Sequence, residues 1–192
     1  AGLVLLWRLP AAWVLALGAG GLILVLMSVK IAVERIQREI TAQVLSVAGL
    51  TGSCLAAYLA VHGSLDSVAL AIWAMSAAHS IGSVLVVRAR LETILSQRKP
   101  AELRTPRRFF RNAVWWHAAL WSALTVVALA GFPWLLVLFT IPSALHTREL
   151  WQFRHGAGLE LSMHRVGWTQ LGTSLLFYAL MILLFRTHLL GA

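Results

Sequence analysis

Several runs of about 18 to 23 residues in this chain hold no Asp, Glu, Lys or Arg, and a helix of that length crosses the hydrocarbon core of a bilayer. The pattern predicts an all-α, polytopic transmembrane helical bundle. About six spans are expected, near 11–29, 44–61, 65–87, 112–131, 133–150 and 167–185, as one integral membrane domain over 1–192. The apolar–polar alternation of a barrel is absent. Pro10 suits the entry to the first span, which runs on into "KIAVERIQREITAQ". There Val33, Ile36, Ile40 and Val44 share one face, opposite the i,i+4 pairs Glu34–Arg38 and Arg35–Glu39. Gly49, Ser53 and Ala57, and then Ala74, Ala78 and Gly82, form small-residue stripes that predict a tight hairpin of the second and third spans. Pro100 should end the helix leaving the third span, and Pro142 should disturb the fifth.

Composition sharpens this picture. The 192 residues are 59% hydrophobic and only 12% charged, about half the charged share of a soluble domain. The net charge of +9 then reports orientation before it reports a partner, and no nucleic-acid partner is indicated. Fourteen of the sixteen Lys and Arg residues fall in the loops after the first, third and fifth spans. By the positive-inside rule those loops are cytoplasmic. Trp7, Trp115, Trp116, Trp134, Trp151 and Trp168 flank the spans, as an interfacial belt requires. Cys54 is the single cysteine, so thiols build neither a disulfide nor a metal cluster. The opening "AGLVLLWRLP" lacks the basic start of a signal peptide and reads as the tail of an earlier helix, so the chain is expected to be a fragment.

Three stretches in order resemble one family. "KIAVERIQREITAQVLSVAGLTGSCLAAYLA" is similar to a basic cytoplasmic helix re-entering the membrane. "WAMSAAHSIGSVLVVRARLE" is similar to an aliphatic helix closing on Val-Arg-Ala-Arg. "MHRVGWTQLGTSLLFYALMILL" resembles a final helix behind an Arg-x-Gly-Trp-like turn. Together they resemble the YwiC-like family of bacterial integral membrane proteins over nearly the whole chain. The "EHGAW"-like motif that usually opens that family has no counterpart here. The resemblance implies a fold and a location in the bacterial inner membrane, and it implies no reaction.

Candidate chemistry is sparse. His79 lies nine residues before Arg88, about 13 Å deeper along a helix. Ser76 and Ser83 share its face, and a polar group at that depth marks a site candidate for a small proton-linked transporter. His117 and His146 fall in the same halves of their spans, where two facing histidines can ligate a b-type haem, although no motif fixes that pairing and no cofactor is called for. Arg88 and Arg90, with Arg107, Arg108 and Arg111, read either as snorkelling anchors or as contacts for anionic lipid head groups. The sharpest enzymatic alternative is a UbiA-like prenyl or lipid-diphosphate transferase. It needs Asp-rich motifs to hold Mg²⁺, whereas Asp66 is the only aspartate. His146, Glu149, His155 and His164 match no metalloenzyme spacing. The residues therefore favour a binding or transport-accessory component of the membrane over an enzyme.

Overall fold

The computed structural model describes residues 11–33, 40–97, 108–155 and 163–188, and every regular element among them is an α-helix. These are α1 (Ala11–Val33), α2 (Ile40–Thr51), α3 (Ser53–His62), α4 (Ser67–Gln97), α5 (Arg108–Leu129), α6 (Trp134–Arg154) and α7 (Met163–His188). Four segments are long and apolar enough to cross a membrane: Ile40–His62, Ser67–Gln97, Arg108–Leu129 and Val166–Thr187. The apolar part of α1 is shorter, Ala11–Met27. The expected fifth span is α6, whose last two turns carry Arg148, Glu149 and Arg154. The chain divides into two units, with the boundary between Ile81 and Gly82, inside α4.

In the first unit, the expected second span is broken at Gly52. The Gly52 amide bonds to the Gly49 carbonyl three residues back, at 3.0 Å, instead of to Ala48. That tightening releases the Ala48 carbonyl, which would be costly in a bilayer without a donor. Two donors fill it: the Trp73 indole from α4 at 3.1 Å and the Thr51 hydroxyl at 3.0 Å. The helix break and the α2–α4 contact are thus one feature. Gly49 also has a packing reason, since a Cβ there would sit 2.6 Å from the Leu24 side chain of α1. The turn after α3 uses Gly63 in the left-handed region, φ 76°, with its amide on the Leu59 carbonyl. Asp66 then caps α4, one carboxylate oxygen accepting from the Ala69 amide at 2.9 Å and the other from the Tyr58 hydroxyl at 2.8 Å. Those two bonds, the amide first, hold the Asp66 carboxyl below its ordinary value of 3.8.

The second unit packs α5, α6 and α7 with the later turns of α4. Leu138, Phe139, Pro142, Ser143, His146, Leu150 and Phe153 form the buried stripe of α6 at three- and four-residue spacing. Val166, Thr173, Phe177, Met181 and Phe185 form that of α7. Aromatic edges join the two helices, Phe139 against Phe177 and Trp134 against Phe185, each at 5.2 Å between centroids. Leu171, Leu175, Ile182 and Leu183 face outward on α7 and are exposed, a surface that suits lipid and not water. The hydroxyls of Ser122, Thr125, Thr140 and Thr187 on outer faces each donate to a carbonyl of the preceding turn, so these four do not present a lone donor to the hydrocarbon.

The start of α5 is tied to α4 by Glu92. Its Oε1 accepts from the Arg108 amide at 2.8 Å, and its Oε2 from Phe109 at 2.8 Å and Phe110 at 3.2 Å. Three of the four amides that a helix start leaves unpaired are met by one carboxylate, which also opposes the positive end of the helix dipole.

Two outcomes follow for stability in detergent. Glu92→Ala should lower unfolding free energy by about 1–2 kcal/mol, as for other lost caps; Glu92→Gln, which keeps an acceptor, should lose less by chemical denaturation. Asp66→Ala should melt below the parent at neutral pH. Because the folded-state value of Asp66 is depressed, its contribution is present above the ordinary carboxylate range and fades as pH falls through the folded value. The gap between the two melting temperatures should therefore close in acid and stay constant from pH 5 to 8.

Candidate functional site

Three helices of the second unit bring Ser83, His117 and His146 together. Ser83 stands on α4 about 10 Å before Arg90, and His117 about 13 Å into α5 from Arg108. His146 lies about 12 Å before Arg154 on α6. Both histidines are buried and Ser83 is half-buried. His117 Nε2 lies 3.1 Å from His146 Nδ1, with the rings nearly perpendicular at 87°. His146 Nε2 lies 3.4 Å from Ser83 Oγ, and His117 Nδ1 lies 2.8 Å from the Ala113 carbonyl one turn back.

The last contact orders all the others. A carbonyl only accepts, so His117 Nδ1 carries a hydrogen, and in a neutral ring Nε2 is then an acceptor. His146 must donate to it from Nδ1, which leaves His146 Nε2 as acceptor for the Ser83 hydroxyl. The result is a chain of donors of one sense, Ser83 to His146 to His117 to Ala113. Gly82 lets α5 come close beside it: a Cβ there would meet Trp116 Nε1 at 3.4 Å and His117 Nε2 at 3.6 Å. The Trp116 Nε1–H is buried with no hydrogen-bond partner among the described residues, which leaves one further donor in this region.

Two chemistries suit a Ser–His–His chain. A hydroxyl, a base and a group orienting the base also make a nucleophile of the hydrolase kind. Ser83, however, sits in the middle of α4, where the neighbouring amides are committed to helix bonds and do not point at a developing oxyanion. Movement of a proton along the chain needs no such donors, and it is the chemistry the geometry suits better.

The other candidates are dispersed. His79 is buried, 3% exposed, and Ser76 is buried one turn before it on α4; both belong to the first unit. Arg90, expected near the head groups, is an interior residue, 2% exposed, with its guanidinium 5.5 Å from the Phe153 ring centroid. It also feels the Glu149 carboxylate, one turn from His146 on α6. Arg88 is half-buried, Arg108 and Arg111 are exposed, and Arg107 lies outside the described residues. The two histidines considered for haem do meet, His117 Nε2 against His146 Nδ1, while His146 Nε2 faces Ser83. His155 bonds the Trp151 carbonyl and stacks on that ring, and His164 accepts from Trp168, so both are engaged within their own helices.

Reasoning along the chain missed the pairing of Ser83 with His146 and the role of Glu92. The signal for the first is that Ala113, His117 and Leu124 on α5, like Leu138, His146 and Phe153 on α6, share inward faces. In comparisons with known proteins, no family model, no curated protein and no solved structure matches this chain.

The tautomers are checkable by ¹⁵N NMR of histidine-labelled protein. At neutral pH both His117 and His146 should show a protonated Nδ1 and a bare Nε2, and a protonated Nε2 on either neutral ring would contradict the donor order.

Proposed function

We propose that this chain is a multi-spanning protein of the bacterial cytoplasmic membrane, of the YwiC-like kind, that takes part in proton-linked transport. In this reading the basic helix ends face the cytoplasm and the Ser83–His146–His117 chain passes the proton. The observation that carries it is the buried 3.1 Å bond between His117, on a membrane-length helix, and His146 of α6 beside it. Ionisable groups there are expensive, and proton relays are among their main uses. A proton arriving at Ser83 displaces the Ser83 hydrogen onto His146 Nε2. His146 then passes its Nδ1 hydrogen to His117 Nε2, and the charge ends on His117. The transferase reading finds less support, because Asp66 commits both carboxylate oxygens to Tyr58 and the start of α4.

Purified protein in liposomes loaded with a pH-sensitive dye tests this. The parent should dissipate an imposed proton gradient faster than empty vesicles. His117→Ala and His146→Ala should each slow that decay about tenfold, Ser83→Ala by less, and His79→Ala by under about twofold. Equal decay in the parent, the histidine variants and empty vesicles would remove the proposal.

A further inference from the structure

A cleft of about 350 Å³ runs between α5 and α6 in the second unit, with Phe110, Val114, His117, Trp121, Leu150 and Arg154 among its lining. On α5 the lining extends from Phe110 to Trp121, eleven residues or about 16 Å. One leaflet of hydrocarbon is about 15 Å deep, half of the core. The walls are apolar, and Val114 and Trp151 on its flanks are exposed on the outer, lipid-facing surface. An occupant therefore enters sideways from the bilayer and stands parallel to the helices.

Charge sets what heads that occupant. Arg154 closes one end of the cleft and is exposed. Arg108 and Arg111 are exposed in the first turn of α5, and Arg148 is exposed about 9 Å before Arg154 along α6. The two described carboxylates nearest in sequence to this end are engaged elsewhere. Glu92 accepts from the α5 amides, and Glu149 lies in the field of the inward-facing Arg90. The described end of the cleft is thus cationic, and a guanidinium at head-group depth favours a net-anionic head group over a zwitterionic one, whose own cation offsets the phosphate charge.

We infer that the cleft between α5 and α6 is a site for one acyl chain of an anionic phospholipid, with its phosphate at Arg154. The inference rests on the basic helix ends lying at the membrane surface and does not depend on the proton relay. It also assigns a role to Arg154, which no motif singles out. The chain in the cleft would cover the His117 ring, where the relay ends, and shield it from the rest of the bilayer.

Native mass spectrometry of the detergent-purified chain, titrated with phosphatidylglycerol or phosphatidylcholine of equal chain length, tests this. The parent should retain one phosphatidylglycerol with at least about fivefold preference, the equivalent of one well-placed surface arginine. Arg154→Gln should bring the two lipids to parity, while Arg148→Gln, outside the cleft, should keep the preference. Ala118→Trp, which fills the cleft wall, should lose both lipids with helical content unchanged; if that variant does not fold, the two arginine variants decide. No preference in the parent, equal loss in both arginine variants, or lipid retained by a folded Ala118→Trp protein would each overturn the inference. Displacement of the lipid by millimolar glycerol phosphate would do so too, by showing that the head group alone is held. Proton flux is a separate readout, so loss of lipid preference with intact flux separates this inference from the proposed function.

Discussion

The first amides of α5 have no acceptor within their own helix, and the carboxylate of Glu92 supplies one from α4. Loss of these bonds would leave three amides of the helix start without their acceptor. This clamp sets the axial position of α5 against α4. That position places His117 level with Ser83, two helices having one relative height at which both the clamp and the Ser83–His146–His117 contacts form. The aromatic edges between α6 and α7 then hold α6 where His146 can reach both partners. Helix start and buried site are therefore coupled through rigid rods, with about 13 Å between them.

The same accounting of polar groups explains the rest of the molecule. Hydroxyls on the outer faces are turned back onto their own helices, and the Ala48 carbonyl released at Gly52 is taken up by Trp73. Among the described residues of the second unit, the side chains that bond from helix to helix include Glu92, Ser83, His117 and His146.

Much of the architecture was legible in the chain because hydrophobic run length is a one-dimensional property. The helical class and the membrane-length segments at 44–61, 65–87, 112–131 and 167–185 came directly from it. Gly49 read as a close-packing position for the hairpin of the second and third spans, whereas its close neighbour is Leu24 of α1. The break at Gly52 did not, since it depends on a carbonyl being met by Trp73 more than twenty residues away. Arg90 was misjudged as an outward residue because "VVRAR" shows only that a helix reaches the interface. Which arginine turns inward is set by Phe153 and Glu149, far along the sequence. His117 and His146 were both visible as candidates, but their bond is 29 residues long in sequence and follows from helix register, which composition does not encode. His79 attracted notice for its depth alone, and depth does not determine partners.

The Ala113 carbonyl has a consequence beyond holding one ring. It makes the hydrogen-bond chain asymmetric, so a single passage of a proton leaves His146 with its hydrogen on the opposite nitrogen. A second passage in the same sense needs that ring to exchange its tautomer first, by rotation or by a proton borrowed from elsewhere. Under the proposed function the chain would have to be rewound between strokes, and the pace of its cycle would be set by rewinding and not by the supply of protons.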